Sequence, residues 1–339
     1  MTEEQNKLTA LLERFRECRI AVIGDLMLDS YVWGQVERIS PEAPVPIVQV
    51  QRTTSCLGGA ANVMRNIVTL GGGGVTAFGV VGRDRNGETI RSMLAEYGIR
   101  NSGILTDPTR PSIQKERVVA GSQQLLRIDY ESTVPVSEVL REELLNAVAL
   151  ELKSGQIHAL VIEDYAKGLF SRPMVQKLID FANASGVLVT MDPNPRNPMK
   201  LTGLTAIKPN RAEAFAMAGV PWTPPAGNPA DDEELRKVAA NLREQWQVKY
   251  LLISLAAQGM ALFDEDGAFT VIPTRAREVY DVSGAGDTVV AAATLALAAG
   301  GDARSAAELA NHAAGIVVRQ LGTATVSAEE VRRSIVGED

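Results

Sequence analysis

Short, uninterrupted apolar runs recur along the chain, separated by stretches whose apolar positions repeat at helical spacing. Residues 19–24, 159–162, 187–191 and 250–253 read as buried strands; residues 60–70, 86–97, 137–153, 173–184 and 231–246 read as amphipathic helices. Strand–helix alternation of this kind predicts an α/β fold with a mainly parallel sheet covered on both faces. Connections in such a sheet are right-handed, and ligands gather at the C-terminal ends of its strands. Two segments break the alternation. Residues 31–52 are β-prone but interrupted by Pro41, Pro44 and Pro46, and residues 112–130 read as two strands around Gly121-Ser122. Charges stand off both of these strands, so the pair is expected to form a small discontinuous β-lid, from about residues 31–52 and 103–131, over a substrate. Residues 221–232, rich in Pro and Gly, are expected to form a surface loop, and no repeat of solenoid period is present.

The composition narrows the picture. The 339 residues are 45% hydrophobic and 22% charged, which excludes a disordered acidic chain and leaves ample material for a core. Lys and Arg number 34 against 41 Asp and Glu, a net charge of −7 with no long basic run, so nucleic acid is not an expected partner. Two cysteines, Cys18 and Cys56, are too few for a disulfide framework, and His158 and His312 stand apart without metal-ligand spacing. The polar, acidic start is unlike a signal peptide, and the most apolar stretch, residues 288–299, is too short to span a bilayer. No membrane association and a cytoplasmic location are therefore expected.

The strongest chemical signal is Asp281-Val282-Ser283-Gly284-Ala285-Gly286-Asp287-Thr288, running directly into an Ala-rich helix. Gly284 and Gly286 permit a tight turn that exposes successive amides at a helix N-terminus, a site for a phosphate or a developing phosphoryl charge. Asp287 falls in the same first turn. A carboxylate beside an anion pocket suits a base that removes a hydroxyl proton during phosphoryl transfer, although a Gly-rich turn capped by Asp is the commoner fate of such a tetrapeptide. A second Gly-rich turn, Gly58-Gly59-Ala60-Ala61-Asn62, also enters a helix, and Asn62 can bond a polyol. A third element, Gly24-Asp25-Leu26-Met27-Leu28-Asp29, ends the first strand, where Asp29 and Asp25 can accept from sugar hydroxyls.

In this chain order the three elements resemble the ribokinase-like (PfkB) family of carbohydrate kinases along nearly the whole length. Residues 58–62 are similar to the family's first signature and residues 281–287 to its second. Lys208-Pro209-Asn210-Arg211-Ala212-Glu213 resembles its N-x-x-E element, and Ser254 to Gly259 its nucleotide-phosphate turn, with Ala256 where Gly is usual. The resemblance implies a three-layer sandwich in a single kinase domain over residues 1–339, with no fused adenylyltransferase domain. It implies Asp287 as catalytic base and the amides of Gly284, Ala285 and Gly286 as anion hole. Gly58, Gly59, Asn62 and Asp29 would hold the sugar, and Ser254, Gly259, Asn210, Asn311 and Ala314 would line the ATP site. Asn210 and Glu213 would organise Mg²⁺ through water, and Asp281 is a candidate for a monovalent cation such as K⁺. Lids of this family often clasp a second subunit, so a homodimer is expected.

A closer resemblance is to the heptose 7-phosphate kinases of lipopolysaccharide inner-core synthesis. It is carried by Arg38 to Pro46, Gln123 to Asp129, Asp164-Tyr165-Ala166-Lys167-Gly168, and Glu278 to Asp281. It implies transfer from ATP to the anomeric hydroxyl of D-glycero-D-manno-heptose 7-phosphate. Arg38, Lys115, Arg117, Arg127 and Lys167 are the cations available for the 7-phosphate in this acidic chain. Asp192-Pro193-Asn194-Pro195-Arg196 departs from that pattern and also resembles fructokinases and ketodeoxygluconate kinases, so a neutral or acidic sugar of that type is the alternative. A nucleotide-binding regulator without chemistry is a third, disfavoured by the presence of Asp287, both glycines, Asn210 and Glu213.

Overall fold

The computed structural model describes residues 1–339 apart from Ser122, Arg277, Leu321 and Asp339. The strands in chain order are β1 (Arg19–Gly24), β2 (Leu26–Ile39), β3 (Pro46–Gly59), β4 (Gly74–Gly82), β5 (Arg100–Asp107), β6 (Ile113–Ala120), β7 (Gln123–Tyr130), β8 (Ala159–Glu163), β9 (Leu188–Asp192), β10 (Ala206–Ile207), β11 (Tyr250–Ser254), β12 (Met260–Phe263) and β13 (Phe269–Ile272). The helices are α1 (Glu3–Glu13), α2 (Ala60–Thr69), α3 (Arg85–Glu96), α4 (Glu138–Lys153), α5 (Arg172–Ala184), α6 (Arg211–Ala218), α7 (Glu233–Trp246), α8 (Ala285–Ala298), α9 (Ala303–Val317) and α10 (Ala328–Val336).

One sheet runs β13-β12-β11-β10-β9-β8-β1-β4-β5, parallel throughout except for the antiparallel β12 and β13 at one edge. Alternation along β1 shows why it takes helices on both faces. Ile20 and Val22 join a core with residues of α1, α2, α8, α9 and α10, while Ala21 and Ile23 join another with residues of α4, α5, α6 and α7. All four are fully buried, so the run is continuously apolar rather than alternating, as expected for a covered parallel strand. The strands and helices expected from periodicity form at nearly the expected bounds. Helix α7 starts two residues later than expected because Asp232 caps it, accepting from the Leu235 amide at 2.9 Å.

The lid is a separate sheet, order β3-β2-β6-β7, in which β2 and β6 pair in parallel. Its bounds differ from the expectation. Residues 103–107 belong to β5, whose apolar Ile104 and Leu105 pair with β4 in the main sheet, so the second lid segment is residues 113–130. The first segment is longer than expected, because β2 starts at Leu26 and β3 runs through to Gly59, carrying the lid's root into the site. The expected turn between β6 and β7 includes Gly121, at φ 59°; Ser122 lies outside the described residues. Residues 221–232 form largely exposed connections between α6 and α7.

Candidate active site

The C-terminal ends of the parallel strands bring the three Gly-rich or acidic motifs together. Helix α8 begins after Gly284, which takes φ 79°, a left-handed conformation that glycine adopts without penalty. A Cβ on Gly284 would stand 2.9 Å from Asn62 Nδ2, and one on Gly286 would stand 2.9 Å from Lys208 Nζ. The two glycines therefore admit an amide from one side of the turn and an ammonium from the other. The Ala285 amide closes a turn onto Val282 O at 3.2 Å, whereas Gly286 and Asp287 carry first-turn amides of the kind a helix leaves without an intrahelical acceptor.

Asp287 is buried, and both its oxygens are held. Oδ1 accepts from the Tyr165 hydroxyl at 2.7 Å and Oδ2 from Asn62 Nδ2 at 2.7 Å. Burial raises its pKa; the two hydrogen bonds and Lys208 oppose that rise, and Asp29 adds to it. Asn62 is itself oriented by Arg65, whose guanidinium donates to Asn62 Oδ1 at 2.8 Å and to Thr323 O. Asn66 Oδ1 accepts from the Thr288 hydroxyl at 2.9 Å, tying α2 to α8. Asn62, Arg65 and Asn66 fall on one face of an otherwise apolar helix, a signal present in the sequence but assigned only at Asn62.

Asp29 is also buried. Its Oδ1 accepts from Arg117 at 2.6 Å, and the same guanidinium lies over the Tyr31 ring at 5.3 Å. Gly58 faces Met27 and Gly59 faces Leu26 across the lid root, and a Cβ on Gly58 would reach Asp29 Oδ2 at 2.3 Å. The other lid cations form a second cluster one strand further out. Lys167 donates to Glu131 Oε1 at 2.6 Å, Lys115 lies 3.3 Å from Asp129 and 3.6 Å from Glu131, and Arg127 grips Asp129 with two donors. Arg127 holds Asp129 at a pKa of about 2. Arg38 is not brought to this cluster: it stands exposed nine residues beyond Asp29 along β2, about 30 Å away at strand rise.

Toward the nucleotide side, Asn210 and Glu213 cap α6 reciprocally, with Glu213 N donating to Asn210 Oδ1 at 2.9 Å and Asn210 N to Glu213 Oε2 at 2.8 Å. Asn210 also bridges to Ser254, which sets the N-x-x-E element beside the turn ending at Gly259. In that turn Ala256 takes φ 52°, so alanine occupies a left-handed conformation costing about 1–2 kcal/mol relative to the usual glycine. On α9, Asn311 donates to Pro273 O at 2.6 Å and Ala314 is partly buried. Asp281 accepts from the amides of Ser283 and Gly322, both at 2.9 Å; against the burial that raises it, these donors hold its pKa low. Among the described residues no group of three or more His, Cys, Asp or Glu is placed to hold a metal. The oxygen donors Asn210 and Glu213 fit Mg²⁺ in its usual mode, where the ion keeps waters and is shared with substrate phosphates.

Four residues of the site had no role assigned from the sequence. Tyr165 donates to Asp287. Lys208 pairs with Asp192 at 2.7 Å; burial penalises its ammonium, and Asp192 more than offsets that, so a cation stands at Gly286. Glu163 is fully buried, and neither of its oxygens has a hydrogen-bond partner among the described residues. Burial, with Asp192 and Asp287 nearby, raises its pKa above the ordinary carboxylate range. Glu163, Asp192 and Lys208 all stand at or just past the C-terminal ends of buried strands, which is the positional signal that could have found them.

Asp25 and Asp164 set a pH dependence. Burial lifts Asp25 to about 7 and Asp164 to about 6. Folding thus favours their protonated forms, and the stability they contribute is whole below about pH 4 and is lost as pH rises through 6 to 7. Thermal unfolding across pH is expected to show a higher Tm near pH 5 than at pH 8, with Asp25→Asn flattening the slope. An unchanged slope in that variant would remove Asp25 from the account.

A mainly parallel sheet flanked by helices carries a β-lid, and a buried carboxylate, Asp287, stands in the first turn of the helix that follows the Gly-rich turn. The chain belongs to the pfkB family of carbohydrate kinases, whose model matches residues 18–330. It is similar to two proteins named bifunctional protein HldE, 39% identical over 95% of this chain in Desulfatibacillum aliphaticivorans and 40% over 97% in Geotalea uraniireducens. The chain spans 64% and 65% of the lengths of those relatives. Its fold matches Arabidopsis thaliana ribokinase complexed with ribose and ATP (TM-score 0.69, 18% identity, 94% of this chain and 98% of that one). It also matches Escherichia coli phosphofructokinase-2 in complex with potassium (TM-score 0.72, 22% identity, 94% and 99%).

Proposed function

We propose that the enzyme transfers the γ-phosphoryl group of ATP to the anomeric hydroxyl of D-glycero-D-manno-heptose 7-phosphate, giving the 1,7-bisphosphate and ADP in lipopolysaccharide core synthesis. Asp287 takes the hydroxyl proton, the sugar oxygen forms its bond to the γ-phosphorus, and the bond from that phosphorus to the β–γ bridging oxygen breaks. Charge on the moving group is met by the amides at the start of α8 and by Lys208. Mg²⁺, held through water by Asn210 and Glu213, would neutralise the ATP phosphates; a role for K⁺ at Asp281 belongs to the same proposal. Asp29 and Asn62 orient the sugar.

The observation that carries the substrate is the cluster of Lys115, Lys167 and Arg127 about Asp129 and Glu131, one cation in excess, at the lid root level with Asp29. Lys115 is the register partner of Asp29 itself. The similarity to HldE-named proteins over nearly the whole chain supports the same choice. Within the segment that suggested a neutral sugar, Asn194 Oδ1 accepts from the backbone amide of Arg196 at 3.1 Å and Arg196 is exposed, while Asp192 pairs with Lys208. A panel of sugars and sugar phosphates with ATP, read by ADP release, tests the reading; preference for a neutral hexose or ketodeoxygluconate overturns it.

The lid also supports a homodimer. Val36, Ile39, Val50, Leu126 and Ile128 are exposed on it, and β3 and β7 leave both its edges unpaired among the described residues. Light scattering is expected to give twice the 36.3 kDa chain mass, and a monomer at high concentration counts against this. The enzyme would work in the cytoplasm, where its ATP is; among the described residues no helix is long and apolar enough to cross a membrane.

A further inference from the structure

We propose that Tyr165 is a positioning residue for the base: its phenol, donated to Asp287 Oδ1, fixes the carboxylate plane and keeps Asp287 ionised for the proton it must remove. The inference rests on the reading of Asp287 as base. Each carboxylate oxygen has two acceptor sites. With Tyr165 on one oxygen and Asn62 on the other, both at 2.7 Å, the carboxylate is held by the protein while still able to face a sugar hydroxyl.

The turn that carries Tyr165 is fixed by two buried carboxylates and a strained residue. Asp25 Oδ2 accepts from the amides of Tyr165 at 3.0 Å and Lys167 at 3.3 Å, so a buried carboxylate is committed to this turn. Asp164 accepts from the Ala166 amide at 2.8 Å and from Asn197 Nδ2 at 2.9 Å. Between them Ala166 is held at φ 56°, a left-handed conformation unfavourable to alanine. Strain of this sort persists where the surroundings over-determine a position, and here it delivers the phenol to the base.

The charges facing Asp287 explain the need. Glu163 comes from β8, Asp192 from β9 and Asp29 from β2; of the cations, Lys208 beyond β10 pairs with Asp192, Arg117 on β6 with Asp29, and Arg65 on α2 reaches Asn62. A carboxyl in that company tends to keep its proton, and a protonated Asp287 cannot accept one from the sugar. Tyr165 is suited to the donor's part because burial and the neighbouring Asp287 hold its own pKa well above the ordinary range.

Tyr165→Phe removes the donor and keeps the ring. The acid limb of kcat against pH is expected to move up by about one pH unit or more, the worth of a hydrogen bond to a charged group. On the acid limb kcat should fall about tenfold or more, recovering toward wild type on the alkaline plateau, with the KM for ATP within about twofold. The γ-carbon of Asp287, observed by carbon NMR in Asp-labelled protein and assigned by its loss in Asp287→Asn, should titrate at higher pH in Tyr165→Phe; this readout needs no substrate. Superimposable titrations and pH profiles overturn the proposal, as does a rise in kcat, which would mean that the phenol merely occupies the place of the substrate hydroxyl. If Asp287→Asn itself stays active, the reading of the base has failed; if Asp287→Asn is inactive and Tyr165→Phe is unshifted, only this inference has.

Discussion

Asp287→Asn is expected to lower kcat by roughly 10²–10⁴-fold, the usual contribution of a positioned base, with ATP affinity little changed. The substitution keeps the shape of the side chain, and the surroundings can accommodate it. The new amide oxygen can accept from Asn62, and its NH₂ can donate to Tyr165, whose hydroxyl turns its proton elsewhere. Burial raises the Asp287 pKa, so replacing it with a neutral group removes a charge that the fold disfavours; Tm should stay level or rise. Loss of activity with a retained or higher Tm separates chemistry from folding. Near-normal turnover in Asp287→Asn would remove this residue from the mechanism.

Lys115→Ala and Lys167→Ala are expected to raise the KM for the 7-phosphorylated heptose by roughly 10- to 150-fold, at 1.5–3 kcal/mol for each charge-assisted contact. The KM for ATP should stay close to wild type, because both ammonium groups lie at the lid root rather than at the turn ending in Gly259. Lys167 is the more constrained of the two, buried with Nζ 2.6 Å from Glu131, whereas Lys115 is shared between Asp129 and Glu131. Arg127→Ala should do less, since its guanidinium is exposed and already engaged by both oxygens of Asp129. Against the dephosphorylated heptose, wild type and variants should perform about equally poorly. If the single variants keep wild-type kinetics, or wild type uses the dephosphorylated sugar as well, the cluster serves the lid's own ion pairs and the substrate lacks the phosphate.

Much of the fold was legible because its determinants are local. Apolar runs of strand length, helical periodicity and capping residues such as Ser137 depend on neighbours a few positions away. The strands hardest to read were those whose local pattern is weak. β10 has two residues, too few for a period, and β4, though nine residues long, is bracketed and interrupted by glycines. β5 was partly assigned to the lid because its apolar pair suits either sheet; only pairing with β4 decided it.

The site divides the same way. By itself the sequence determined the Gly-rich turn before α8 with Asp287 in its first helical turn, the second Gly-rich turn ending in Asn62, and the N-x-x-E cap, since each is a contiguous motif. Only the tertiary structure decided what those groups touch. Tyr165 is 122 residues from Asp287 and Asn62 is 225 residues away, yet both donate to its carboxylate. The tertiary structure also turned the lid cations from a set into two ion-pair clusters, left Arg38 at the far end of its strand, and set Glu163, unpartnered among the described residues, near Asp287 and Lys208. The reason is geometric. Periodicity reports which face of an element is buried, but the partners of a polar side chain at a strand's end depend on which other strands end beside it, and that is a property of sheet order.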